Sequence, residues 1–137
     1  MSCHNYGQSG YGFWCDSCEF EKVVAFIKKH MPEDWDNFKD CENLDDIEEV
    51  CSRMGDWGGY YDANQILAHV IHYEVHDSVD FYDDDSYGGA IMLVPFMPWV
   101  PMKPITQEEF EKKAGDLAME FYGNPVKFDW ITTQEWG

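Results

Sequence analysis

The sequence predicts an α+β fold in which about four helices cover a small antiparallel sheet, made of a hairpin and a C-terminal strand. Several segments carry apolar residues at the i, i+3, i+4 spacing of amphipathic helices. Other segments alternate apolar and polar residues, as half-buried strands do. Helices and strands do not alternate regularly, which disfavours a parallel βαβ sheet. A chain of 137 residues with 45% hydrophobic content is sufficient for one core and one domain.

Residues 1–14 are predicted to form an irregular arm that precedes a single domain of residues 15–137. The arm is rich in aromatic residues and in glycines that interrupt any period, namely Gly7, Gly10 and Gly12. No run approaches the roughly 18 apolar residues of a membrane span. The first fifteen residues contain no Lys or Arg and no apolar stretch typical of a signal peptide. We therefore expect a cytoplasmic protein without membrane association.

The first two helices are predicted from capping patterns and from one apolar face each. The first begins at Asp16, which has capping-pair spacing with Glu19, and ends before Pro32. Its inward residues are Phe20, Val23, Val24, Ile27 and Met31. The second runs from about Asp45 to Met54 and has acidic residues in its first turn. Its inward residues are Leu44, Ile47, Cys51 and Met54.

The third and fourth helices show the same signals. Asp62 and Gln65 have capping-box spacing at the start of the third, which ends near His76. Its inward residues are Ala63, Ile66, Leu67, Val70 and Ile71. The fourth begins at Thr106 and ends at Gly123, because glycine favours the left-handed conformation that stops a helix. Its inward residues are Phe110, Ala114, Leu117, Ala118 and Phe121.

Three short segments are predicted to form the sheet. Residues 79–82 alternate apolar and polar side chains, and residues 90–94 form a short apolar run. An Asp, Ser and Gly-rich loop joins them, so the pair is predicted to be a β-hairpin. Residues 126–130 alternate again and are predicted to be the last strand.

The balance of charge is strongly acidic. The chain has 27 Asp and Glu against 9 Lys and Arg, for a net charge of -18. Such a surface is repelled by phosphate backbones and anionic lipids, so direct binding to nucleic acid or membrane is disfavoured. No Lys or Arg occurs between Arg53 and Lys103, and a second acidic block covers residues 33–49. Basic proteins and metal cations are therefore the favoured partners.

The spacing of these carboxylates suggests a function. Carboxylates one helical turn apart lie roughly 5–6 Å from each other, and those at i, i+2 on a strand roughly 6.6 Å, which approaches phosphate spacing along a nucleic acid. This favours a non-enzymatic inhibitor that occupies a basic nucleic-acid-binding enzyme by mimicry, as phage and mobile-element anti-defence proteins do. The predicted partner-binding residues, in which aromatics supply the anchors, are Asp45, Asp46, Glu48, Glu49, Asp80, Asp83, Asp84, Asp85, Tyr82 and Tyr87.

Two other interpretations of the charge stay open. Charge runs commonly form a solvated face that only keeps a protein soluble. Adaptation to high salt also produces acidic surfaces, although the chain keeps eight lysines and many bulky aromatic residues.

Cys15 and Cys18 form a W-C-D-S-C segment at the predicted start of the first helix. Backbone N–H groups and the helix dipole can lower a thiol pKa at such a position. The segment resembles the W-C-x-x-C of thioredoxin-like oxidoreductases, which implies that Cys15 takes the place of the nucleophile. Asp16 and Glu19 oppose thiolate formation, because they add negative charge beside the pair.

The same thiols are candidate zinc ligands. A C-x2-C pair is half of a zinc signature, and the remaining ligands would come from Cys3 or His4 and from Cys41, His30 or Cys51. Five cysteines are an odd number, so a complete disulfide framework is not implied. Zinc is the one cofactor that the sequence suggests.

A row of histidines gives a second candidate metal site. His69, His72 and His76 fall within an arc of about 60° on the predicted third helix. The row lies opposite the apolar face, so it is predicted to face solvent or a second layer of structure. These histidines either bind a metal or lie on the surface, with their positive form favoured by nearby carboxylates. The alternative function is thus a small Cys/His metal-binding protein, with thiol or metal-dependent catalysis.

Four prolines recur at every third residue, at Pro95, Pro98, Pro101 and Pro104. This spacing matches the threefold repeat of polyproline II. The intervening residues are heavily apolar, which favours an extended edge segment packed on the core over a ligand for an SH3-type domain.

Overall fold

Strands and helices are interspersed through the residues that the structure describes. The computed structural model describes residues 5–6, 8–54, 62–84, 87–94 and 105–136. The strands are β1 (Asn5–Tyr6), β2 (Ser9–Trp14), β3 (Val79–Asp84), β4 (Gly88–Leu93), β5 (Asp129–Thr132) and β6 (Glu135–Trp136). The helices are α1 (Phe20–His30), α2 (Trp35–Phe38), α3 (Leu44–Arg53), α4 (Asn64–Glu74) and α5 (Gln107–Tyr122). A 3-10 turn, Pro32–Asp34, joins α1 to α2.

The main sheet is antiparallel, with strand order β3-β4-β2-β5. Within it Val79 pairs with Leu93, Phe13 with Ile91 and Gly10 with Ile131. β1 and β6 form a separate two-stranded antiparallel pair. The predicted α+β class, with a hairpin and a C-terminal strand covered by helices in one domain, is confirmed.

β2 corrects the prediction of an irregular segment over residues 1–14, because residues 9–14 form an inner strand of the sheet. The glycines that suggested a loop are explained instead by packing within the sheet. A Cβ added to Gly12 would lie 2.0 Å from the Ile91 carbonyl oxygen, and one added to Gly10 would lie 2.6 Å from the Leu93 oxygen. Glycine is therefore required here by the close approach of β4.

The main core lies between one face of the sheet and the helices. Phe13 and Ile91 project from that face, and the fully buried Phe26, Phe110 and Phe121 project from α1 and α5. Burying each such side chain contributes about 1.5–3 kcal/mol. α1 packs against α5, and α4 packs against both α5 and β3. These contacts join three helices to one edge of the sheet.

A smaller cluster lies on the opposite face of the sheet. Ala90, Met92 and Ile131 form it, and the half-buried Tyr82 packs against them. These residues alternate with the core-facing residues of their strands, as the two-residue period of a strand requires.

α1 starts later than predicted but ends where predicted. The helix begins at Phe20 and not at Asp16, and Glu19 at the N-cap makes no side-chain capping bond. The Asp16 carboxylate instead accepts from the Ser17 N–H at 2.8 Å, a local bond that competes with helix formation. The C-terminal end lies just before Pro32, as predicted.

A capping bond defines the start of α5 as predicted. α4 begins at Asn64, one residue later than the predicted Asp62–Gln65 pair would place it, with Ala63 as an N-cap that makes no side-chain bond. Gln65 Oε1 accepts from the Asp62 N–H at 3.0 Å, and Thr106 Oγ1 accepts from the Glu109 N–H at 3.1 Å. Gly123 ends α5 with φ of 78°, in the left-handed region. α4 ends at Glu74, before the predicted His76.

Two further elements complete the comparison with the sequence. α3 occupies the predicted place, and its N-cap is Asn43, whose side chain accepts from the Asp46 N–H at 2.9 Å. The last strand of the sheet is β5, three residues later than predicted, because Asp129 pairs with Gly12. Within the described residues, no helix is both long and apolar enough to span a membrane.

Candidate functional site

The acidic residues of α3 divide into an exposed and a half-buried pair. Asp45 and Glu49 are exposed and lie one helical turn apart, so their Cβ atoms are about 5–6 Å from each other. Asp46 and Glu48 are half-buried. None of the four forms a salt bridge with another described residue. The charge of the exposed pair, Asp45 and Glu49, is therefore open to a partner.

The half-buried pair also serves the fold. Asp46 Oδ2 accepts from the Glu42 N–H at 3.0 Å. Glu48 faces the start of α4, where the Ala63 N–H donates to its carboxylate. Burial, followed by repulsion from Asp62 and Asp45, raises the pKa of Glu48, and the Ala63 bond opposes this rise.

The predicted acidic residues of the hairpin differ in exposure. Asp80 is exposed and Asp83 is half-buried. Asp84 is only 4% exposed, and its carboxylate accepts from the Tyr87 N–H at 2.9 Å and the Gln134 N–H at 2.6 Å. Asp84 therefore ties the hairpin to the C-terminal segment, in contrast to its predicted place on a partner-binding surface. Asp85 lies outside the described residues.

The two tyrosines predicted as anchors also differ. Tyr87 is 77% exposed, and its ring lies 5.5 Å from the ring of Trp14. Tyr82 is half-buried, and burial, followed by the charge of Asp80, raises its pKa to about 12. Tyr87 is thus the better placed of the two for contact with a partner.

The two acidic sets lie on separate elements. α3 packs against α2, whereas β3 forms one edge of the sheet and packs against β4 and α4. The predicted partner-binding residues therefore lie on two surfaces. We call them the α3 surface (Asp45 and Glu49) and the β3 edge (Asp80, Tyr82 and Asp83).

The half-buried Cys15 and Cys18 lie in a polar cluster centred on Asn64, which is 7% exposed. Asn64 Oδ1 accepts from the Tyr122 hydroxyl and from the Cys18 thiol, the latter at 3.4 Å. Asn64 Nδ2 donates to Asp62 Oδ1 at 2.9 Å and to the Asp16 carbonyl at 3.4 Å. The side-chain amide thus uses its full capacity of two donors and two acceptors. We call this group the Asn64 cluster.

Both thiols of the Asn64 cluster are held in their neutral form. Burial, followed by the charge of Asp62, raises the pKa of Cys18 to about 12. Burial also raises the pKa of Cys15 far above its usual range, although a hydrogen bond with Tyr122 opposes the rise. Because α1 begins only at Phe20, neither thiol lies at the helix N-terminus that was expected to activate it.

The predicted zinc ligands are dispersed. Among the described residues, no group of three or more His, Cys, Asp and Glu is placed to hold a metal ion. Cys51 is fully buried in the core, and Cys41 is half-buried. Cys3 and His4 lie outside the described residues, as do residues 95–104 with the predicted proline repeat.

The histidine row faces a second layer, which is β3. His72 Nδ1 lies 3.1 Å from the Val79 carbonyl and donates to it, because a carbonyl only accepts. His76 is 5% exposed and lies beyond α4, where its Nδ1 accepts from the Ser78 N–H at 3.0 Å. His69 and His72 line a cavity of about 180 Å³ between α4 and β3. The three histidines therefore do not share one site.

His30, predicted as a zinc ligand, joins the C-terminal ends of three helices. Its Nδ1 lies 2.8 Å from Glu74 Oε2, and its Nε2 lies 3.0 Å from Glu120 Oε2. Both nitrogens lie within hydrogen-bond distance of carboxylate oxygens, so His30 links α1 to α4 and α5. Partial burial alone would raise the pKa of Glu120, but hydrogen bonds from His30 and Lys29 outweigh burial and lower it.

Comparisons of the chain with protein-family models, with curated proteins and with solved structures find no match.

Proposed function

We propose that this protein is a non-enzymatic acidic interaction protein that binds the basic nucleic-acid-binding surface of an enzyme and excludes nucleic acid from it. The observation that carries the proposal is the α3 surface. Asp45 and Glu49 are exposed one turn apart and have no salt-bridge partner among the described residues. Two unpaired charges at this spacing suit a row of lysines or arginines that otherwise contacts phosphates.

The distribution of lysines supports this choice of surface. Lys22, Lys29, Lys112 and Lys113 lie on α1 and α5, and each pairs with a carboxylate within 4.0 Å. On these helices much of the acidic charge is therefore balanced locally. Most of the excess of carboxylates that gives the chain its net charge of -18 therefore lies outside α1 and α5. The α3 surface holds part of it.

Exposed aromatic side chains supply candidate anchors. Trp14, Tyr73, Tyr87 and Trp130 are 36–77% exposed, which is unusual for residues of this size. Aromatic side chains of this kind contribute a large share of binding free energy when a partner desolvates them. An interface that includes both the α3 surface and one of these aromatic residues would combine electrostatic attraction with apolar contact.

The alternative of thiol or metal-dependent chemistry receives less support. The Cys15 and Cys18 thiols are neutral members of a satisfied hydrogen-bond cluster, whereas a nucleophile or metal ligand must be a thiolate. Within the described part of the chain, the other predicted ligands lie apart from this pair.

The proposal is tested by capture from nuclease-treated lysate on three immobilised proteins. These are the wild type, the Asp45→Asn, Glu49→Gln variant, and a control with Glu108→Gln and Asp116→Asn on α5. Both double variants remove two exposed negative charges, so they differ in position and not in net charge. Bound proteins are eluted with rising salt, and each is tested for displacement by duplex DNA and by RNA.

We expect nucleic-acid-binding enzymes to bind the wild type and the control and to elute as salt rises. Retention on the α3 variant should fall about threefold to tenfold, because each exposed ion pair contributes up to about 1 kcal/mol. Equal retention on both variants would mean that the surface serves only solubility. Capture that neither salt nor nucleic acid displaces would contradict mimicry.

A further inference from the structure

The cavity between α4 and β3 has a lining suited to one chemical group. Its walls include His69, His72 and Tyr73 from α4 and Asp80 from β3, and it encloses about 180 Å³. Binding sites for small molecules usually enclose about 300–1,000 Å³. This cavity is therefore smaller than the usual small-molecule site and large enough for the end of one side chain.

Its polar groups favour a donor. His72 Nδ1 donates to the Val79 carbonyl, so β3 already engages this nitrogen. Asp80 is exposed, accepts from the Phe81 N–H at 2.8 Å and forms no salt bridge with a described residue. The lining residues include neither Lys nor Arg. The cavity thus contains the Asp80 carboxylate and no lysine or arginine that would neutralise it.

Its aromatic wall favours a flat cation. Tyr73 is 73% exposed, and its ring lies 4.7 Å from the ring of His69 and 5.1 Å from that of His72. Both ring pairs are edge-on, so the tyrosine is supported on two sides while much of its surface faces solvent. A guanidinium stacks on an aromatic face and donates to a carboxylate in the same plane, whereas an ammonium is a compact point charge.

We infer that this cavity receives the guanidinium of an arginine side chain from the basic partner, stacked on Tyr73 and paired with Asp80. The inference rests on the proposed function, since it names the side chain that the partner presents. It adds a specific contact at the β3 edge to the electrostatic attraction of the α3 surface. Arginine is common on surfaces that bind phosphate, so a nucleic-acid-binding enzyme supplies this group in its own site.

The inference is tested without the partner. The protein, labelled for NMR, is titrated with N-acetyl-arginine amide, with the lysine analogue, and with the citrulline analogue, which is a neutral isostere. The signals followed are the backbone amides of α4 and β3 and the rings of His72 and Tyr73. The same titrations are made on Tyr73→Ala, Asp80→Asn and, as a control on α5, Glu108→Gln, with unfolding midpoints measured to verify folding.

We expect saturable shifts at α4 and β3 with the arginine compound, and affinities about threefold to tenfold weaker for the lysine and citrulline compounds. Tyr73→Ala and Asp80→Asn should weaken arginine binding by a similar factor, and Glu108→Gln should leave it unchanged. Equal shifts for arginine and citrulline, or arginine binding unaffected by Tyr73→Ala and Asp80→Asn in folded proteins, would overturn the inference. If these results fail while capture still depends on Asp45 and Glu49, the inference fails alone and the proposed function stands.

Discussion

The Asn64 cluster and the α3 surface contain similar polar side chains but use them in opposite ways. In the Asn64 cluster every hydrogen-bonding group of the Asn64 amide has a protein partner, and the adjacent thiols are neutral. On the α3 surface, Asp45 and Glu49 are exposed and have no salt-bridge partner among the described residues. A satisfied buried group stabilises the fold, whereas an unpaired exposed charge is available for binding. The first region therefore stabilises the fold, and the second is the region that we propose binds the partner.

The largest expected difference is in thiol chemistry. A pKa of about 12 for Cys18, against about 8.5 for a free thiol, lowers the thiolate fraction at pH 8 about a thousandfold. We expect Cys15 and Cys18 to be alkylated by iodoacetamide at least that much more slowly in the native protein than in denaturant. Site-resolved mass spectrometry measures both rates. Native rates equal to those of a free thiol would show that the cluster holds reactive cysteines.

The next effect is on stability. Asn64→Ala removes the acceptor for the Tyr122 hydroxyl and the Cys18 thiol, and each buried group left unsatisfied costs about 1–3 kcal/mol. We expect the free energy of unfolding to fall by about 2–4 kcal/mol in urea titrations. Asn43→Ala is the matched control, because it removes an exposed helix cap worth about 1 kcal/mol. If the two variants lose equal stability, the cluster is not the structural centre that we describe.

The Asn64 cluster depends on long-range contacts, which sequence patterns do not predict. The fold class, the hairpin and the capping bonds near the starts of α4 and α5 follow local rules. Asp62 and Thr106 therefore predict from the sequence where these two helices begin, to within one or two residues. β2 was missed because Gly10 and Gly12 signal a loop unless one knows that β4 passes against them. In the Asn64 cluster, Asn64 bonds to Cys18, which is 46 positions away in the sequence, and to Tyr122, which is 58 positions away. No local sequence pattern reveals such contacts.

The candidate site was predictable in part for the same reason. Sequence spacing identified Asp45 and Glu49 correctly as neighbours on one helix, since that spacing is local. It placed Asp84 on the surface, because burial by the C-terminal segment is a long-range contact. The cavity beside Tyr73 depends on the packing of α4 against β3 and has no signature in the sequence.

Glu120, unlike Asp45 and Glu49, has charged partners, and its effect on stability should therefore depend on pH. His30 and Lys29 hold the Glu120 pKa below its usual range, so Glu120 adds stability above the pKa of an unfolded glutamate, about 4.3. That contribution is lost as pH falls through the lowered folded pKa. We expect His30→Gln to cost about 1–2 kcal/mol at pH 6 and to flatten the decline between pH 5 and 3, by urea titration at each pH. A variant with an unchanged pH profile would mean that His30 does not hold Glu120.

The smallest effect on stability is expected at the α3 surface. Asp45→Asn with Glu49→Gln removes a like-charge pair one turn apart, which is worth only about 0.2–0.5 kcal/mol. We expect the free energy of unfolding to stay within about 0.5 kcal/mol of wild type, or to rise by that amount. Thermal unfolding at low salt measures it. A loss of more than 1 kcal/mol would place these carboxylates with the structural residues instead.

The account rests most directly on competition for one surface. A fluorescent duplex is bound to the purified captured enzyme, and its anisotropy is followed as this protein is added at several salt concentrations. We predict complete release of the duplex, at protein concentrations that rise with salt as the Debye length falls from about 10 Å at 0.1 M to about 3 Å at 1 M. A ternary complex, in which the duplex stays bound at saturating protein, would contradict mimicry.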